Sequence, residues 1–158
     1  DRIESRGLGD VYKRQGIVVG TNDLAKEFVL PKQTGRAGLL YALGSIILTA
    51  KAYNVITLDG VFNGISDEEG LRSEAEEGKN MGYDGKTLIH PNQIGITNAV
   101  FSPTEKEIDL ANKIIEAYEK AKEEKSGVTT VDGVLVEELH VKQSLALISK
   151  MKMIQSMS

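Results

Sequence analysis

Asp23 follows a short apolar run, Gly16-Ile-Val-Val-Gly20, whose β-branched residues predict a buried parallel strand. A carboxylate just past the C-terminal end of such a strand sits where barrel enzymes place their catalytic groups. Magnesium takes one or two carboxylates, with water and substrate oxygens completing its octahedron, so Asp23 is a candidate metal ligand. The same position suits a carboxylate that caps a short helix, and position alone does not choose between the two. The backbone amides of the turn at Gly20, Thr21 and Asn22 are suited to holding a substrate carboxylate.

The chain has two histidines and no cysteine, which excludes disulfides, thiol catalysis and cysteine-ligated zinc together. His90, with Pro91 and Gln93, ends the apolar run Thr87-Leu-Ile. A lone histidine at a strand end is more often a hydrogen-bonding group than a ligand, and His140 on the last helix has the same bland reading. Gly85-Lys86-Thr87 invites a nucleotide reading that its context rejects. A phosphate-binding loop needs glycine five residues before Gly85, where Asn80 stands, and it follows a strand rather than preceding one.

The elements that must position these residues follow from periodicity. Strands are predicted at Gly16–Gly20, Val55–Leu58 and Thr87–His90. A short helix is expected at Leu24–Phe28, and Thr34 is expected to cap a longer one running to about Tyr53. Leu39, Leu40, Leu43, Ile46, Ile47 and Ala50 give that helix a wide buried face. Ser66-Asp-Glu-Glu69 reads as a capping box opening a helix that stops at Gly82. Ser102-Pro103-Thr104-Glu105 reads as a second box, with proline at the first helical position, ahead of a helix to about Lys125. Val128–Val136 alternates around Asp132-Gly133, a hairpin signal, and an amphipathic helix from Glu138 to about Ile154 closes the chain. Strand–helix alternation predicts α/β architecture with a parallel sheet. Three strands cannot close a (β/α)₈ barrel, which takes about 250 residues, so a barrel would be represented here by its last third.

With 41% hydrophobic and 27% charged residues over 158, the composition is that of a globular domain with its own core. A net charge of −4, with both signs interspersed, offers no broad footprint for nucleic acid. The longest apolar stretch, Leu39–Ala52, is broken by Tyr41, Gly44, Ser45 and Lys51, so no membrane span is expected. A cytoplasmic location is expected. Asp1–Gln15 lacks periodicity, and Asp10–Gln15 back-translates to GAT GTG TAT AAG AGA CAG, which resembles the inner end of a transposase adapter used in DNA library preparation. Those fifteen residues are expected to be foreign and are set aside.

Several segments together carry a resemblance: Gly20-Thr-Asn-Asp-Leu-Ala25, Leu58-Asp-Gly-Val-Phe62, Ser66-Asp-Glu-Glu-Gly-Leu71, Met81-Gly-Tyr-Asp-Gly-Lys-Thr-Leu-Ile-His-Pro-Asn-Gln-Ile94, Phe101-Ser-Pro103 and Val131-Asp-Gly133. After Gln15 the chain resembles the citrate lyase β-subunit, malyl-CoA lyase and HpcH/HpaI aldolase group. The resemblance implies that the strands are the sixth to eighth of a TIM barrel and that residues after Ser102 form a helix–hairpin–helix extension. It implies Asp23 as a magnesium ligand, Gly20, Thr21 and Asn22 as substrate-binding, and His90, Pro91 and Gln93 as part of the pocket. A second carboxylate, from a glutamate on the preceding strand, and a substrate-binding arginine are expected upstream of Gly16, so this polypeptide alone is expected to be inactive. Glu137 matches an aspartate that serves the family as an acid/base group in a neighbouring subunit's site. It is one methylene longer, and solvated carboxylates at a helix start explain Glu137 and Glu138 equally well.

The activity implied is magnesium-dependent cleavage of a 3-hydroxy-acyl-CoA, as in citryl-CoA lyase, to acetyl-CoA and a keto acid. Malyl-CoA or citramalyl-CoA lyase is the alternative within that class, and a non-catalytic binding or scaffold protein is the alternative outside it. The implied partners are a CoA thioester and further copies of the chain in a homo-oligomer, a trimer, with neither nucleic acid nor membrane.

Overall fold

The computed structural model describes residues 16–31, 35–124 and 128–157, so Asp1–Gln15 and the expected cap at Thr34 lie outside the described residues. The chain divides into two compact units, residues 1–101 and 102–158.

In the first unit β1 (Gly16–Val18), β2 (Ile56–Asp59) and β3 (Gly85–Lys86) lie side by side in that order, all parallel. Parallel neighbours need long crossovers. Here α1 (Thr21–Glu27), a turn of 3₁₀ helix (Ala37–Leu39) and α2 (Leu40–Ala52) join β1 to β2. The helix α3 (Glu68–Met81) joins β2 to β3, and α4 (Gln93–Phe101) follows. The architecture is mixed α/β, rich in helix.

Two strands depart from expectation. β3 lies two residues ahead of Thr87–His90, because the ladder pairs Asp59 with Lys86 and Thr87 adds only its N–H bond to the Asp59 carbonyl, at 2.9 Å. The apolar run belongs to the strand's exit, and its Ile89 is exposed. β1 is not buried: Val18 is 59% exposed, since among the described residues β1 has a neighbour only on the β2 side.

The core gathers Val19, Leu39, Leu43, Ile47 and Tyr83, with Leu24, Ala25, Leu30, Ile46, Met81 and Phe101 packed around it. Leu40, expected inside, is half exposed where α2 begins. The cap of α3 is Asp67 rather than Ser66. Its carboxylate accepts the Gly70 N–H at 2.9 Å, closing the turn one residue later than the box expected at Ser66. α2 and α3 end alike, on a left-handed residue, Asn54 (φ 53°) or Gly82 (φ 105°). In each case the next N–H reaches back five residues, from Val55 to Ala50 at 2.9 Å and from Tyr83 to Gly78 at 3.1 Å.

Asp84 ties three elements together. It accepts from Lys51 of α2 at 2.6 Å and from the Thr57 N–H of β2 at 2.8 Å, just ahead of β3. Partial burial pushes its carboxyl up, but the bonds from Lys51 and Thr57 outweigh that and hold it below the ordinary 3.8. A depressed folded-state pKa adds stability above the unfolded value, and that stability is lost as pH falls below about 4. Asp84→Asn should therefore lose about 1 kcal/mol at pH 7 and show a flatter loss on acidification. Urea melts of both proteins between pH 7 and 3 measure this, and parallel curves would show that Asp84 does not set the acid slope.

In the second unit α5 (Glu105–Glu123) starts from Thr104, not from Ser102 and Pro103. The Thr104 hydroxyl accepts the Glu107 N–H at 3.2 Å, and Glu107 accepts the Thr104 N–H at 2.7 Å. Two orphan donors are met reciprocally, which leaves Pro103 outside the helix. β4 (Thr129–Val131) and β5 (Val134–Val136) pair antiparallel across Asp132-Gly133. Both turn residues have positive φ, 51° and 81°, as a two-residue hairpin of this twist requires. The helix α6 (Glu138–Ser156) packs along α5. Among the described residues, no helix is long and apolar enough to cross a membrane.

Candidate active site

Three parallel strands deliver their following residues to one edge of the sheet. β1 leads into Gly20–Asp23, β2 into Gly60–Asn63 and β3 into Thr87–Gln93.

Gly20 is the N-cap of α1 and contributes no side chain, so Thr21, Asn22 and Asp23 form the helix's first turn instead of a free polar loop. The Thr21 N–H is spent on the Val19 carbonyl, at 3.1 Å. The amides of Asn22 and Asp23 are then the ones this turn can offer an anion. Asp23 is exposed and lies in the first turn of α1 behind the N-cap Gly20, its carboxylate folded back beside Gly20 without a hydrogen bond to it. It borders an open, largely apolar groove of about 600 Å³ beside β1, lined also by Val18, Leu24, Glu27 and Ile46.

The β2 exit is locked to its neighbours. Asn22 and Asn63 exchange amide hydrogen bonds in both directions, at 3.2 and 2.9 Å. Gln93 is fully buried, and its amide joins two loops. Its nitrogen donates to the Phe62 carbonyl at 3.0 Å, and its oxygen accepts the Ile89 N–H at 3.1 Å. Gln93 is thus turned away from solvent, and the expected pocket contact becomes a structural tie. His90 is half-buried and Pro91 exposed. His90 Nδ1 accepts the Asn92 N–H at 3.2 Å, which leaves Nε2 as the nitrogen able to donate.

Beneath this edge lies a cluster that sequence reasoning missed. Asp59, with no exposed surface, accepts a two-pronged bond from Arg36, at 2.9 and 3.0 Å. Lys86, its side chain equally buried, donates to Glu74 at 2.6 Å, to the Gly60 carbonyl at 2.8 Å and to Asp59 at 3.3 Å. Glu77 lies 3.4 Å from Arg36 Nε, so two cations meet three carboxylates. Gly85-Lys86-Thr87 is therefore a structural segment whose lysine faces inward. Nearby, burial first and then the Asp59 charge push the Tyr83 hydroxyl up to about 12, against the Arg36 charge. The available signal was alternation in β2: Thr57 and Asp59 share one buried face, and a buried carboxylate demands a cation. Which cation was decided by β2–β3 register.

Glu137 belongs to the second unit, where it is the N-cap of α6 and its N–H donates to His140 Nδ1 at 3.0 Å. His140 is thus a capping residue. Among the described residues no three His, Asp or Glu side chains gather to hold a metal ion. Asp23 fits magnesium as one carboxylate of a two-carboxylate set: exposed, unpaired and at the strand edge.

The family model for HpcH/HpaI aldolase/citrate lyase matches residues 8–91. A (3S)-malyl-CoA thioesterase of Cereibacter sphaeroides is 51% identical over 134 residues, 83% of this chain and 47% of that protein. The citrate lyase subunit beta of Leuconostoc mesenteroides subsp. cremoris is 38% identical over 122 residues, 77% of this chain and 40% of that one. The chain spans about half the length of the curated relatives it matches. Among solved structures, CitE from Mycobacterium tuberculosis, in complex with magnesium, acetoacetate and coenzyme A, superposes with a TM-score of 0.70 at 23% identity. That alignment covers 87% of this chain and 52% of that one, and shows a shared fold. The chain belongs to the HpcH/HpaI aldolase/citrate lyase family.

Proposed function

We propose that this chain is the C-terminal part of a (β/α)₈ barrel enzyme that cleaves a 3-hydroxy-acyl-CoA with magnesium. The observation that carries the reading is Asp23: an exposed, uncapped carboxylate at the C-terminal edge of a parallel sheet, in a chain of this family. Asp23 holds the cation together with a carboxylate from the part of the barrel before β1. Bound there, magnesium polarises the substrate's hydroxyl and eases its deprotonation. The first turn of α1, shaped by Gly20 and Thr21, presents the backbone amides of Asn22 and Asp23 to the acyl group's carboxylate. His90 and Pro91 wall the mouth, and Gln93 keeps their loop against the β2 exit. Glu137, at the head of α6 in the second unit, supplies the acid/base carboxylate to a neighbouring copy in a homo-oligomer, a trimer.

The balance of the reaction is simple. The hydroxyl loses its proton, the bond between the carbinol carbon and the thioester α-carbon breaks, and its electron pair stays with the α-carbon. That carbon takes a proton to become acetyl-CoA, and the carbinol carbon becomes the carbonyl of a keto acid.

The likeness to a malyl-CoA thioesterase favours a second reading, in which the same site hydrolyses a malyl-CoA thioester. Products separate the two. Full-length protein given malyl-, citramalyl- and citryl-CoA with magnesium should release acetyl-CoA and a keto acid from at least one ester, and nothing after EDTA. Release of free CoA and the hydroxy acid would establish hydrolysis instead. Turnover that survives chelation would remove magnesium from the proposal.

A further inference from the structure

We propose that the buried Asp59–Lys86–Arg36 cluster is a positioning device for the Thr21-Asn22-Asp23 turn, acting through the backbone of Gly60. The inference rests on the reading of Asp23 as a metal ligand and adds what holds that ligand in place. Both main-chain polar groups of Gly60 are taken by the cluster: its N–H donates to Asp59 Oδ1 at 2.8 Å, and its carbonyl accepts from Lys86 Nζ at 2.8 Å. The cluster is itself held from three sides. Arg36 grips Asp59 from the loop before α2, Glu74 of α3 grips Lys86, and β2 and β3 carry Asp59 and Lys86 opposite each other. Gly60 therefore has little freedom to move.

What Gly60 faces gives this rigidity a use. A methyl group on its Cα would collide with the Thr21 hydroxyl and methyl, so the first turn of α1 rests directly against bare backbone. Three residues on, Asn63 grips Asn22 with the paired amide bonds. The turn that presents Asp23 is thus braced at two points by the β2 exit, and one of them is anchored in buried charge. A metal ligand on a seven-residue helix at the sheet edge has limited packing of its own: Leu24 and Ala25 lie against the core, but no residue of α1 is fully buried. Ligands must be held to within about half an ångström for function, so such support has to come from outside the helix. Asp59 and Lys86 touch no substrate in this arrangement; they are positioning residues.

The test is a double-mutant cycle on the full-length protein. Gly60→Ala, which leaves every charge of the cluster in place, should raise amide exchange in residues 19–24 at least tenfold. It should also raise the magnesium concentration for half-maximal turnover at least fivefold. Adding Thr21→Gly, which removes the side chain struck by the new methyl, should return both readings to those of Thr21→Gly alone. Losses that simply multiply, or a Gly60→Ala protein with unchanged exchange and magnesium requirement, overturn the proposal. Should Gly60→Ala not fold, Asn63→Ala breaks only an exposed amide pair and should still raise the magnesium requirement at least threefold; an unchanged value overturns the proposal. The exchange readings need no turnover. A wild-type protein without magnesium-dependent activity would sink the lyase reading, while exchange would still decide whether Gly60 braces the turn.

Discussion

Asp23→Asn should lower magnesium-dependent turnover of the full-length protein by about 10³-fold or more, equivalent to about 4 kcal/mol of lost transition-state stabilisation. The substitution keeps the side chain's shape and removes the charge that a hard cation needs. It should leave the fold alone. Asp23 is exposed, makes no capping bond and belongs to a helix without a fully buried residue, so the stability change should stay within about 0.5 kcal/mol. Steady-state assays across a magnesium titration, beside thermal melts of both proteins, separate the two effects. Undiminished turnover by the mutant would reject Asp23 as the ligand, and a large drop in melting temperature would turn a loss of activity into a folding defect.

The second large effect is one of stability. Lys86→Met should cost about 3–5 kcal/mol, because it leaves Asp59 buried with Arg36 alone and strips the Gly60 carbonyl of its donor. A loss of that size approaches the whole stability of an ordinary domain. Methionine fills nearly the lysine's volume, so the cost is electrostatic and not a cavity. Combining it with Asp59→Asn should cost less than the two single changes added together, since each removes the partner that makes the other's charge expensive. Denaturant unfolding of the three variants measures this. A loss below about 1 kcal/mol for Lys86→Met would mean that water reaches the cluster and screens it.

These two residues divide along the line between what the chain states locally and what it states only once folded. The position of Asp23 after β1 was legible because its evidence is contiguous: a β-branched run, a turn and a carboxylate, with a motif that matches a known family. The helix ends at Asn54 and Gly82 were legible for the same reason, since a left-handed residue at a helix end is a property of the residue itself. Asp132-Gly133 likewise announces its turn through the positive φ that both residues accept.

Registers and partners were not legible. The run Thr87-Leu-Ile is more apolar than Gly85-Lys86, so a reading by hydrophobicity puts β3 two residues late. The observed strand is chosen by the pairing of Lys86 with Asp59, 27 residues away in sequence. The first turns of α3 and α5 were misplaced by one or two residues, because neighbouring Ser, Asp and Thr side chains compete as caps and geometry selects among them. Gln93 looked like a ligand group while the loops it joins were unknown.

By itself, then, the sequence determined the order of strands and helices, the family, and the place of the Asp23 carboxylate just after β1. Those are short-range properties, carried by residue type and spacing. Tertiary structure alone decided that Lys86 faces inward, that Gly60 is braced at both of its polar groups, and that Thr21 rests against it. Each depends on long-range juxtaposition, where the partner of a buried charge is set by which strands come to lie side by side.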